Sequence, residues 1–153
     1  MSLIGLPDVY RFACYNGTGI AISNSPTGLP RASGRRVRYD TNGVLSYEAA
    51  EFTFFSFAAT SIGAGSYITG STLSNTLSTW LAMDGVFSCF ASGNASGNVF
   101  LYLETSPDAG TTWPTPASAN GPGGAILVAT IGYGSTTTVS TASTVQRINW
   151  TYP

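Results

Sequence analysis

Gly97-Asn98-Val99-Phe100-Leu101-Tyr102-Leu103-Glu104-Thr105-Ser106-Pro107-Asp108-Ala109-Gly110-Thr111-Thr112-Trp113-Pro114 is the stretch on which the fold turns. Its first half is a run of β-branched, aromatic and apolar residues, which predicts a strand, and Pro-Asp-Ala-Gly then predicts a tight turn. Pro107 presets the backbone dihedral, and Asp108 can accept hydrogen bonds from the backbone N–H groups that follow it. Gly110 supplies a left-handed conformation at little steric cost. Trp113 offers a large apolar surface that can fold back on the hairpin tip.

Working outward, residues 115–124 form a Pro/Gly loop and Ala125 to Tyr133 the returning strand. Upstream, Ala91-Ser-Gly-Asn-Ala-Ser-Gly-Asn98 is a tandem tetrapeptide that predicts a turn, and Trp80 to Ala91 predicts a strand with a bulge at Gly85. Tyr10, Phe12 and Cys14 share one parity with Arg11 on the other, the pattern of a first strand. Asn16-Gly-Thr-Gly19 interrupts it, Ile20 to Ile22 continues it briefly, and Asn24 to Gly34 is predicted as loop. Thr41-Asn42-Gly43, between Arg35–Asp40 and Val44–Phe57, is a strong hairpin signal. In the second arm the aromatics change parity between Phe54 and Phe55; either a bulge re-aims the side chains there or both faces are covered, and since both parities stay apolar the favoured expectation is covering. Residues 58–79 are predicted as a long Ser/Thr/Gly-rich loop, with a short helix near Leu73 to Leu81. Gly134 to Ser143 predicts an exposed polar edge, and Val145 to Tyr152 a closing strand with Ile148, Trp150 and Tyr152 on one face. Short strands, glycine turns and little helical periodicity together predict a single all-β domain over residues 1–153, an antiparallel β-sandwich or jelly roll.

Charged residues make up only 8% of the chain, with no His, six basic residues all Arg, and a net charge of −1. A typical soluble domain carries about 25% charge, which keeps it soluble and protects its sheet edges. So sparse an ionic surface predicts cover by other subunits. The charge balance leaves no electrostatic footprint for nucleic acid or an anionic membrane, and no apolar run approaches the ~20 residues of a membrane span. Met1-Ser-Leu-Ile-Gly-Leu-Pro lacks a basic n-region and does not read as a signal peptide; a retained Met1 points to intracellular synthesis.

Without His, Ser-His-Asp and Cys-His catalysis are excluded. Cys14 and Cys89 alone cannot build a zinc site; they could pair, though two small buried hydrophobes is the plainer expectation for a cytosolic product. Glu48 and Glu51 point to opposite faces of a strand. Glu104 and Asp108 could flank a sugar, but a strand-face carboxylate beside a turn-capping Asp accounts for them more simply. No catalytic residue, cofactor or metal is expected. Arg35, Arg36 and Arg38, with Tyr39, form the one concentration of charge. Arg36 and Arg38 share a strand face and could clamp a phosphate or a partner's carboxylate, the inter-subunit role being the simpler. Trp80, Trp113 and Trp150 could make a sugar-stacking platform, although core or interface anchors are the commoner use of such rings. Asn16, Asn94 and Asn149 begin Asn-x-Ser/Thr sequons, which matter only in a secreted chain.

Ser106-x-Asp108-x-Gly110-x-Thr112-Trp113 resembles the Asp-box, a hairpin motif that recurs on sialidase blades. In that family it is a structural device away from the active site, so the resemblance implies a hairpin and not glycosidase activity. In composition, and in the segments Val37-Arg-Tyr-Asp-Thr-Asn-Gly-Val-Leu and Val99 to Pro114, the chain is similar to small virion proteins of tailed bacteriophages. That similarity implies a non-enzymatic role in capsid decoration, a spike base or the tail. It further implies synthesis in the host cytoplasm, residence in the virion, and partners that are copies of the chain and major capsid or tail proteins. The alternative from another class is a carbohydrate-binding module or adhesin head, marked by Trp113 or Trp80 exposed in a groove.

Overall fold

The computed structural model describes residues 6–23, 29–56, 61–76, 80–90, 96–114, 125–133 and 145–152. Twelve strands are found among them: β1 (Val9–Asn16), β2 (Ile22–Ser23), β3 (Arg31–Tyr39), β4 (Leu45–Tyr47), β5 (Phe52–Ser56), β6 (Ser61–Ile62), β7 (Tyr67–Thr69), β8 (Leu73–Ser74), β9 (Ala82–Phe90), β10 (Gly97–Thr105), β11 (Ile126–Tyr133) and β12 (Val145–Tyr152). One sheet runs β11-β10-β1-β7 with β8 also on β1, a second runs β12-β9-β3-β4 with β5 also on β3, and β2 pairs β6. All pairings are antiparallel. The result is an all-β sandwich, as the strand and turn pattern predicts.

The two sheets close on one apolar core. β1 contributes Tyr10, Phe12 and Cys14, β10 contributes Val99, Leu101 and Leu103, and across from them stand Ala32, Met83, Phe87 and Cys89. The parity of β1 is the one expected, with Arg11 outside, opposite Glu104. Both cysteines are free and buried. Burial pushes the Cys89 thiol up to about 11 and the Cys14 thiol higher than its usual range, the nearby Cys89 adding to the latter.

Several local expectations are corrected. β3 begins at Arg31, inside the segment predicted as loop, because Ala32 packs in the core and Arg31–Gly34 pairs with both β5 and β9. The long arm after Asn42-Gly43 is two strands, β4 and β5, which lie end to end along one side of β3. The parity change at Phe54–Phe55 is a bulge, not a strand covered on both faces. The register with β3 slips there, and both rings turn into the core while Thr53 stays outside. Gly85 is not a bulge: β9 keeps an unbroken register with β3, and Gly85 faces Gly34. Backbones approach so closely there that a Cβ on Gly34 would sit 1.8 Å from the Asp84 carbonyl oxygen. The described residues of the segment 58–79 hold three short strands, and Leu73–Ser74 is strand instead of helix, docked on Val9 and Tyr10. The loop 115–124 and the polar run 134–143 lie outside the described residues.

Two buried asparagines tie these short strands down. Asn16 donates through Nδ2 to the carbonyls of Ile20, Ile62 and Gly63 and accepts at Oδ1 from the Thr18 N–H and hydroxyl. Asn75 donates to the Leu6 and Trp80 carbonyls and accepts from the Trp80 N–H at 2.8 Å. Each meets the demand that irregular buried backbone have partners. The sequon at Asn16 is therefore closed to modification in the folded chain; Asn94 lies outside the described residues.

Candidate functional site

Two hairpin regions gather the residues that the sequence singles out. The first is the turn after β10. Ser106 Oγ accepts from the Gly110 N–H at 2.7 Å and donates to Asp108 Oδ1, and Asp108 accepts from the Thr112 N–H and hydroxyl, both at 2.7 Å. These bonds, led by those from Thr112, hold the Asp108 carboxyl below its usual range. Ala109 and Gly110 both take positive φ, 57° and 97°. Trp113 Nε1 donates back to the Gly110 carbonyl at 3.0 Å. The residues expected to make the hairpin, Ser106, Asp108, Gly110, Thr112 and Trp113, thus act together.

What the sequence does not reveal is how this turn is fastened to the sheet. The Arg11 guanidinium lies 4.2 Å from the centroid of the Trp113 ring and donates through Nε to Glu104 Oε2 at 2.5 Å. The Tyr67 hydroxyl donates to the other oxygen, Glu104 Oε1. The Glu104 side chain has no exposure at all. Burial raises its pKa and Arg11 offsets only part of that. Both carboxylate oxygens are therefore engaged within the fold, and Glu104 with Asp108 do not make an open acid pair.

The second region is the β3–β4 hairpin. Asp40 Oδ1 accepts from the Asn42 and Val44 N–H groups, Gly43 has φ 76°, and Val37, Arg38 and Tyr39 lie opposite Tyr47, Ser46 and Leu45. Val37, Tyr39, Leu45 and Tyr47 consequently share a face of the sheet. Tyr39, Val44, Leu45 and Tyr47 are 57, 59, 51 and 52% exposed. The four residues expected at an interface divide. Arg35, Arg38 and Tyr39 are exposed, whereas Arg36 turns inward. Its carboxylate comes from its own chain: Nε and Nη2 donate to Glu48 at 3.0 and 2.5 Å. Arg36 stacks on Phe52 and Trp80, and Arg38 on Trp80 at 4.7 Å. The hydrogen bond from Arg36 lowers the Glu48 pKa, and the same bond raises that of Arg36. Leu45 and Tyr47 escape notice in the sequence, since alternating apolar residues after Asn-Gly look like a core face.

Neither indole whose surroundings are described stands free as a sugar platform. Trp80 is buried, and half-buried Trp113 carries Arg11 on its ring. No family model, curated protein or solved structure matches the chain.

Proposed function

We propose that this chain is a non-enzymatic structural subunit that self-associates and docks on neighbouring proteins of a larger particle, of the kind found in the capsids and tails of phage virions. The observation that carries this reading is the β3–β4 hairpin, which presents four large apolar side chains, each more than half exposed, on a chain with only 8% charged residues. Tyr39, Leu45 and Tyr47 share one face and Val44 lies on the other; Ile126 and Leu127 are exposed elsewhere, but the hairpin gathers the larger group, and large apolar side chains exposed together mark a contact site. The carboxylates that the sequence offers for chemistry at these sites are committed to structure: Glu104 to Arg11 and Tyr67, Glu48 to Arg36, Asp108 to its turn. A carbohydrate-binding role would call on an open indole, and the engagement of Trp80 and Trp113 favours assembly over it.

Light scattering on the purified chain across protein and salt concentrations tests the reading. Apolar contacts predict an oligomer that persists in high salt, because screening weakens only charge–charge contacts. A monomer at all concentrations would overturn it.

A further inference from the structure

We infer that β4 is the contact strand of a two-fold dimer, pairing antiparallel with β4 of a second copy about an axis through Ser46. The inference rests on the assembly reading above and names the partner and the register. It follows from the hydrogen bonds at either end of the hairpin. The Asp40 N–H donates to the Val44 carbonyl, and the Glu48 N–H to the Arg36 carbonyl. With Arg38 opposite Ser46, residues 44, 46 and 48 are the ones bonded to β3, since bonded and unbonded pairs alternate in an antiparallel ladder. The N–H and C=O groups of Leu45 and Tyr47 therefore point away from β3. Among the described residues nothing pairs with that edge, because β5 lies along the other half of β3.

An open edge is normally defended by shortness, Lys, Pro, a bulge or an inward charge. Leu45-Ser46-Tyr47 is short, at 3 residues, and has none of the others. The strand is also complementary to itself. Set antiparallel about Ser46, Leu45 meets Tyr47 of the partner subunit and Tyr47 meets the partner's Leu45, with all four outward N–H groups satisfied. Leu45 and Tyr47 share a face with the exposed Tyr39 and the buried Val37, so the same operation sets Tyr39, Leu45 and Tyr47 of the two copies side by side across the axis. Strand pairing of this kind buries the outward backbone groups of Leu45 and Tyr47 and the flanks of their side chains, so the contact is carried by its hydrogen bonds and is smaller than the ~800 Å² each partner buries in a standard interface. A partner of different sequence would meet the open edge too, but would not repeat this match by symmetry.

The test is a cross-link. In this register the two Ser46 residues form the unbonded pair on the axis, with Cα atoms ~4.5 Å apart, inside the span a disulfide accepts. Under mild copper-phenanthroline oxidation, Ser46→Cys is expected to give a covalent dimer. Wild-type chain is expected to give none, its thiols being buried, and Thr41→Cys at the tip, off the axis, none either. Leu45→Glu with Tyr47→Glu is expected to weaken association at least tenfold while circular dichroism keeps its β signature. An oligomer by light scattering that Ser46→Cys does not cross-link, and that the double glutamate variant leaves intact, would overturn this contact and leave self-association standing. A chain that is monomeric throughout would overturn both.

Discussion

The two hairpin regions use the same turn chemistry and present opposite surfaces. In each, an aspartate carboxylate accepts from the backbone of the turn, from Asn42 and Val44 at Asp40 and from Thr112 at Asp108, and a glycine takes positive φ. In each, an Arg–Glu pair at 2.5 Å stands nearby. After β10, everything folds back: Trp113 on Gly110, Arg11 on Trp113, and Glu104 under both with no exposure. At β3–β4, the tip carries its apolar side chains outward beside an edge with which none of the described residues pairs. The contrast teaches that turn residues decide where a chain reverses, whereas the side chains that meet it, among them Arg11 and Tyr67 from far along the chain, decide whether the reversal closes on its own fold or waits for a neighbour. The Arg–Glu pairs divide the same way. Full burial pushes Glu104 up despite Arg11, while the part-exposed Glu48 is pulled down by Arg36.

The comparison is broken most forcefully at Glu104. Glu104→Ala leaves Arg11 and the Tyr67 hydroxyl without their acceptor, and the loss of a buried charge partner is expected to cost about 3–5 kcal/mol in urea unfolding. A loss under about 1 kcal/mol would mean that the turn is not fastened through this carboxylate. Next comes Glu48→Gln, expected to cost about 1.5–3 kcal/mol at neutral pH through lost charge-assisted bonds. The two pairs also predict opposite pH slopes. Glu48 has a folded pKa below the ordinary 4.5, so its contribution is complete above that value and is lost as pH falls through the folded pKa. Glu104 has a folded pKa above 4.5, so between 4.5 and that value its contribution falls as pH rises. Stability measured against pH should therefore decline less steeply below 4.5 in Glu48→Gln, where Asp108 still contributes, and should lose its fall with rising pH above 4.5 in Glu104→Gln; equal slopes in both variants would erase the distinction. The smallest effect belongs to the open tip. Tyr39→Ser or Val44→Ser should change the stability of the separated subunit by no more than about 0.5 kcal/mol. A loss above about 2 kcal/mol, in chains diluted to monomer, would show that the tip packs on its own fold.

Much of the sandwich is legible in the sequence because its signals are local. Asn42-Gly43 locates one hairpin, Pro107-Asp-Ala-Gly110 another, and the alternation Tyr10, Phe12, Cys14 orients β1. What escapes depends on partners far along the chain. Arg31–Gly34 looks like loop from its Ser and Gly until β9 and β5 pair with it on both sides. Glu48 and Glu51 look like strand, yet the reach of Glu48 back to Arg36 leaves a break between β4 and β5. Asn16 and Asn75 resemble ordinary loop residues; their bonds to Ile62 and Leu6 span 46 and 69 residues. For the candidate site, Arg38 and Tyr39 are visible as an exposed pair, but Leu45 and Tyr47 have the alternation of core residues, and only their exposure in the folded chain shows that none of the described residues covers them.

The two sealed sulfhydryls give the molecule a built-in clock. Cys14 and Cys89 stand in opposite sheets with no contact to water, and a thiol reagent reaches them only when the layers part. The pace of alkylation in native buffer would time that separation directly, without dye, tag or denaturant.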